Sequence, residues 1–501
     1  MTRAYILHMV AVDRWKLKPV LVDSVFHLPI LPRNPDPNVH LSVNSAGFAG
    51  VHRKSPFTSM THRYSQIPEI SRTTNDLGVV RIPVEQDIPF SDRVRAVVDT
   101  AAFRRLAQIT QLALTSRIYP GANHTRFEHA LGVYHNSLTY LWQLGKDERF
   151  AATVSDHDAE VLIVAALLHD IGHWPFCHPI EDMALADMPP HETLAEQFLG
   201  QDSELTLVLQ EHWNIESAEV LELLTGTSDS PCSQLRQSIL SGPVDIDKMD
   251  YLQRDSQHCG VPYGRNFDRN RLMSSLIVNQ RGNGLAITSK GRTAAEMMVF
   301  ARYVMFSEVY WHHAVRSATA MFARAFFEMH RQLDMSELFR MNEPDMIQTL
   351  CQVSNDDTRR LTDGLFGPRR RLHKRLAEYS VFSNAELYQS LRQLPYRKLV
   401  LCSNRLAELI QESINEPIHE LDILIDAPPI HREVEFRVDI YDSQSATWQT
   451  LRDMSPIVNA MSQTAFDDCV KRVRIFVSEH LIQRLRCLKD MEQLVHKAIN
   501  P

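Results

Sequence analysis

The chain has 501 residues, of which 44% are hydrophobic and 23% charged, with a formal net charge of -8. That is an ordinary globular composition, long enough for more than one domain, and it lacks the overall basic footprint of a nucleic-acid-coating protein. Seven cysteines without a Cys-x-x-Cys pair argue against a disulfide scaffold and a thiolate zinc site and fit a reducing cytoplasm, and no apolar run reaches membrane-spanning length.

Residues 1 to about 70 lack sustained periodicity and carry Pro29, Pro32, Pro35, Pro37 and Pro56 among polar neighbours. This predicts a poorly ordered arm over 1–77, with Met60 as an alternative start. Val79 to Val84 then reads as a short strand, and Ser91-Asp92 as the cap of one helix carrying Val94, Val97, Val98, Ala101 and Leu106. Tyr119 to His124 is a turn, and Thr125 is placed to cap a helix that puts Arg126 and His129 on one face.

Val161 to Leu168 is almost wholly apolar, reads as a buried helix, and ends in His169-Asp170 just before Gly172 and Pro175. An imidazole beside a carboxylate at the end of a rigid buried helix is half of a divalent-metal site. Pro189-Pro190 set the start of another helix at His191. After a break at Ser241-Gly242-Pro243, acids, bases and a tyrosine crowd Asp245 to Asp255, where Asp247, Tyr251, Arg254 and His258 fall on one side of a helix. Read alone, that stretch is a solvated, salt-bridged face.

Leu272 to Val278 and Leu285 to Thr288 predict a hairpin, and a long helix follows with Arg302, Tyr303, Tyr310, Trp311, His312 and His313. The pattern stays helical to about Ser390 and includes a basic cluster, Arg369-Arg370-Arg371 and Lys374-Arg375, read first as solvated surface and second as an anion or nucleic-acid contact. Asp422 to Asp426, Glu435 to Ile440 and Arg472 to Val477 read as strands interleaved with helices, a small α+β appendage. With no P-loop and no dinucleotide fingerprint, phosphate chemistry would rest on metal and cationic side chains.

A His on a helix, then a His-Asp doublet, then a distant Asp, here His129, His169-Asp170 and Asp247, is the ordered signature of the HD phosphohydrolase superfamily. Arg126-Phe127-Glu128-His129, the block from His169 through Gly172, His173, Pro175 and Phe176 to His178, and the run Asp245, Asp247, Lys248, Asp250, Tyr251, Arg254, Asp255 together resemble the deoxynucleoside triphosphate triphosphohydrolases, including the SAM-and-HD-domain enzymes. The likeness covers roughly 78–320 and, more faintly, the tail; nothing in 1–77 looks like a SAM domain. It implies a mainly α protein with an all-helical HD core at 78–320 that includes a small β-hairpin, and a helical extension with a C-terminal α+β appendage at 321–501.

The resemblance further implies that His129, His169, Asp170 and Asp247 hold a divalent metal. Two imidazoles and two carboxylates leave open positions in an octahedral shell, as a catalytic ion requires, and iron, manganese, magnesium, nickel or zinc would fit. His173 and His191 are expected to handle protons or phosphate, with Glu181 orienting a catalytic histidine. Arg126, His178, Lys248, Tyr251, Asp255, Arg302 and Tyr310 are expected to contact triphosphate or sugar, the two tyrosines excluding a 2′-hydroxyl by bulk. Departures from the family pattern are Trp174 for Gly, Cys177 for Ser and Glu181 for Asp, and Trp174 is expected to narrow the pocket. Ala107 after Arg105-Leu106 replaces an arginine of the nucleotide-activated animal relatives. The resulting expectation is a cytoplasmic, homo-oligomeric dNTP triphosphohydrolase with a nucleotide substrate, a nucleotide activator left open, and no membrane. The alternatives are an HD phosphohydrolase acting on a nucleoside monophosphate or cyclic nucleotide, and a nucleotide- or nucleic-acid-binding regulatory protein using Arg369 to Arg375.

Overall fold

The computed structural model describes residues 62–71, 77–85, 87–186, 188, 191–429, 437–463, 470–488 and 490–500. The chain divides into Met1–Ser59, where most of the expected arm lies and which falls outside the described residues, and Met60–Pro501. Over residues 62–71 the chain departs from the expected arm. Tyr64, Ile67 and Ile70 are buried, the Tyr64 hydroxyl donates to the Val154 carbonyl at 3.0 Å, and buried Glu69 is bridged by Arg93 at 2.6 Å. Three apolar residues and one acid form too short a pattern to announce a helix, yet each finds a partner in the core.

Strand β1 (Gly78–Val80) pairs antiparallel with β2 (Ile88–Phe90), so the expected strand through Val84 is shorter. The single helix expected after Ser91 is two, Asp92–Val98 and Ala101–Arg105, because the Thr100 hydroxyl accepts from Phe103 N and caps a second start. Helix α1 (Arg126–Leu144) packs against α2 (Asp156–Leu168) and α4 (Ile246–His258), with the short α3 (Cys177–Glu181) between them in sequence. Every residue of α2 from Val161 to Leu168 is fully buried, which is why its sequence has no polar face; a Ser155–Asp158 capping box starts it. Each such Leu, Ile or Val contributes roughly 1.5–3 kcal/mol by burial, enough to hold the His-Asp end rigid.

The expected first hairpin strand from Leu272 is instead the end of a helix, Arg269–Ser274, followed by β3 (Leu276–Val278) paired antiparallel with β4 (Leu285–Thr288). Helix α5 (Arg292–Met305) ends in one π-helical turn, Phe306–Tyr310, before α6 (His313–Met329), which runs unbroken across residue 320. Strand β5 (Lys374–Tyr379), β6 (Ile423–Asp426) and β9 (Val473–Val477) form an antiparallel sheet in the order β5-β9-β6. Of the second expected tail strand, residues 435–440, the first two lie outside the described residues; the described strand is β7 (Asp439–Asp442), which joins the hairpin rather than this sheet. It pairs parallel with β4 and antiparallel with β8 (Thr447–Thr450), giving the order β3-β4-β7-β8, and Val438, Ile440 and Leu451 enter the core built around α1 and α2. The fold is mainly α, a helical core with a C-terminal α+β part. No helix of the described residues is long and apolar enough to cross a membrane.

Candidate active site

Three helix ends converge. Thr125 caps α1, so Arg126 and His129 turn inward from its first turn. His169 ends α2, and Asp170 follows it into the turn at Gly172. Asp245 caps α4 by accepting from the Lys248 backbone N–H at 2.7 Å and from its Nζ at 2.6 Å, which sets Asp247 in the first turn facing α1.

His129 Nε2 lies 3.1 Å from His169 Nε2 and 3.0 Å from Asp247 Oδ1. Asp170 Oδ1 is 3.5 Å from His169 Nε2, and ligand atoms of His129, His169 and Asp170 fall within 4.8 Å of one another. The structure therefore brings together all four residues expected to hold metal, and facing imidazole nitrogens flanked by carboxylates form a fitting donor set for a divalent ion. Outer partners fix the rings: His169 Nδ1 lies 2.9 Å from the Ala166 carbonyl, and His129 Nδ1 lies 2.8 Å from Asp250 Oδ2. Both Nε2 atoms are thereby aimed at the site.

The electrostatics follow. Burial alone would strip His129 of its proton, but hydrogen bonds to Asp247 and Asp250 outweigh it and push the ring up to about 10. Burial would raise Asp170, yet the Arg126 guanidinium at 2.8 Å, helped by the histidines, holds it well below the usual carboxylate range. Asp250 is held low mainly by Arg254, against its burial. Arg254 grips both Asp250 oxygens at 2.7 and 2.8 Å and reaches Glu128 at 2.7 Å, with no side-chain exposure. The face read as solvated is thus a buried ion network. It fits against α1 only because residue 132 is glycine; a Cβ there would collide with the Asp250 carboxylate and with Arg254.

The loop after Asp170 carries the other expected groups. His173 is buried with Nδ1 3.2 Å from Asp170 Oδ1. Arg105 donates to the Ile171 and His173 carbonyls at 2.8 and 2.9 Å, so it sits half-buried under this loop. Phe176 adopts φ 58°, a left-handed conformation costing roughly 1–2 kcal/mol, and packs on Phe322 with ring centroids 4.7 Å apart. That kink starts α3, where His178 Nδ1 lies 3.4 Å from Glu181 Oε2. Cys177 is buried 3.7 Å from an Arg126 nitrogen, and burial pushes its thiol up to about 12. Trp174 does not narrow the cleft: it is fully buried against Phe339 in a separate core cluster, where an apolar helix neighbour rather than a ligand explains its size. His191 opens the short helix His191–Leu194, and its side chain lies outside the described residues.

The metal-type ligands open onto a cleft of about 640 Å³ that Arg126, His173, His178, Lys248, Tyr251, Asp255, Arg302 and Tyr310 also line. Burial pushes the Tyr251 phenol up against the pull of Arg302 and Lys248, which line the same cleft. Tyr310, delivered by the π turn, donates to Asp255 Oδ2 at 2.6 Å. Glu181 is absent from this lining. Asp250, Arg254, Glu128 and His124 had no role assigned from sequence; the spacing of Asp247, Asp250 and Arg254 by three and four residues was the available signal for the first two.

A helical bundle that focuses two histidines and two aspartates on one point, backed by buried carboxylates, defines an HD-type metal centre. The HD domain family matches residues 126–255 and the HD associated region matches 267–488, so the chain carries an HD domain followed by an HD-associated region. It is 29% identical over 417 residues to the uncharacterized protein MJ1154 of Methanocaldococcus jannaschii, covering 82% of this chain and 81% of that one. It is 27% identical over 265 residues to the deoxynucleoside triphosphate triphosphohydrolase SAMHD1 homolog of Dictyostelium discoideum, covering 49% of this chain and 48% of that protein, so the match spans about half of the relative. A hypothetical protein from Aquifex aeolicus of known crystal structure superposes with a TM-score of 0.63 at 25% identity, covering 82% of this chain and 99% of the other.

Proposed function

We propose that this metal-dependent phosphohydrolase acts on deoxynucleoside triphosphates, releasing deoxynucleoside and tripolyphosphate. The observation that carries the reading is the opening of the His129, His169, Asp170 and Asp247 cluster onto a single cleft walled by cations and two phenols. The SAMHD1 homolog named above is a dNTP triphosphohydrolase and supports the same substrate class.

His129, His169, Asp170 and Asp247 would hold a divalent ion, which when bound polarises a phosphoryl oxygen and acidifies a water. Lys248 and Arg302 offset the charge of the phosphate chain. Arg126 is bound to Asp170, so its part is to hold that carboxylate in place while adding positive potential to the wall. Water attacks the α-phosphorus, the bond to O5′ breaks, and a proton passes to the departing O5′. His173 delivers it, a role supported by its place in the cleft wall with Nδ1 3.2 Å from Asp170 Oδ1. Tyr251 and Tyr310 bound the sugar end, where a ribose 2′-hydroxyl would meet their rings.

Mass spectrometry of the products tests the reading on metal-loaded protein given the four dNTPs singly and mixed, alongside a nucleoside monophosphate and a cyclic nucleotide. Tripolyphosphate with free deoxynucleoside is expected. Hydrolysis of the monophosphate or the cyclic nucleotide without tripolyphosphate would replace the reading with that of another HD phosphohydrolase.

A further inference from the structure

We infer that His124 is a positioning residue for sugar selection, acting through Asp255 on Tyr310; the inference rests on reading the cleft as a deoxyribose site. His124 is buried behind the cleft wall, and its Nε2 lies 2.8 Å from Asp255 Oδ1. The other oxygen of the same carboxylate accepts from the Tyr310 hydroxyl at 2.6 Å. His124 Nδ1 is buried without a hydrogen-bond partner among the described residues, so Nε2 is the nitrogen whose N–H serves Asp255.

A core histidine that merely satisfied itself would serve a backbone group. This one serves a carboxylate whose only other hydrogen-bonding partner among the described residues is a phenol of the cleft. Its own place is fixed on both sides. The His124 carbonyl accepts from Gln111 N at 3.0 Å, and its ring stacks on His258 with centroids 4.4 Å apart. His258 in turn lies 2.9 Å from Glu128, which Arg254 ties to Asp250 behind the ligand His129. One buried framework thus supports the metal end and the sugar end of the cleft. Loss of the His124 N–H leaves Asp255 with an unmatched buried oxygen, free to rotate and to release Tyr310.

The test compares wild type, His124→Ala and His124→Gln on dATP and ATP, with metal content measured in each. The Gln amide restores an N–H near the position of Nε2. His124→Ala should reduce the dATP-over-ATP preference about tenfold or more, mainly through KM, at unchanged metal content, and His124→Gln should recover most of it. Tyr310→Phe should reproduce the loss, and combining it with His124→Ala should add nothing. An unchanged preference in a folded His124→Ala protein overturns the inference while leaving the substrate reading standing. If that variant does not fold, Asp255→Asn replaces it with the same expectation. If the wild type cleaves neither nucleotide, the substrate reading has failed, and His124 is judged by ¹⁹F spectra of 3-fluorotyrosine protein. The Tyr310 resonance, assigned by its loss in Tyr310→Phe, should shift in His124→Ala and return in His124→Gln; an unmoved resonance overturns the role.

Discussion

Metal binding at this site should release a proton, and the count is set by His129. In the metal-free protein its ring is pushed up to about 10 by Asp247 and Asp250, in spite of burial, so at pH 7.5 it is protonated. An ion taken by Nε2 must displace that proton. The gap of about 2.5 pH units is a competition of roughly 3 kcal/mol, or a few hundredfold in apparent affinity. The sign follows from the raised value: the proton is held below about pH 10, so affinity should climb about tenfold per pH unit from 6.5 to 8.5 and level off only near 10. The same shift gives the metal-free fold a contribution that is complete below about pH 6.5 and lost as pH rises through about 10. Calorimetric titration with Mn²⁺ in buffers of differing ionisation enthalpy reads the proton count directly. About one proton per ion is expected at pH 7.5; a count near zero together with an affinity flat from pH 6.5 to 8.5 would refute the reasoning.

Asp250→Asn keeps the shape but removes the charge behind His129, so metal affinity measured by the same titration should fall about tenfold to a hundredfold in a folded protein. Gly132→Ala sets a methyl group into the Asp250 carboxylate and against Arg254, and overpacking should cost about 1–3 kcal/mol in denaturant unfolding, with weakened metal binding as the local signature. A chain begun at Met60 should retain metal and turnover, whereas one begun at Gly78 loses Tyr64 and the Glu69–Arg93 pair and should melt at least several degrees lower by scanning calorimetry.

The parts legible in the sequence were those whose physics is local. An apolar run without a polar face reads as a buried helix, and residues 161–168 form one; caps at Ser91 and Thr125 give themselves away by residue type and position. What the sequence hid was pairing across distance. Asp245 to Asp255 has the composition of a solvated helix face, and nothing within that stretch reveals that Glu128 and Gly132, on α1, accept Arg254 and Asp250 into the core. Residues 439–442 likewise have the composition of a tail strand, and only the tertiary fold sends them beside Ala286 to Thr288 rather than beside Val473 to Val477. Trp174 erred in the opposite direction, because a large side chain inside a catalytic motif invites a functional role that burial against Phe339 removes. The sequence order of His129, His169-Asp170 and Asp247 was readable because a motif fixes residue types in order; the contacts behind them were not, because Asp250 and His124 meet partners 121 and 131 residues away in the chain. Those long-range partners raise the proton affinity of His129 and bring His124 and the Tyr310 hydroxyl onto one carboxylate, contacts that the motif does not spell out.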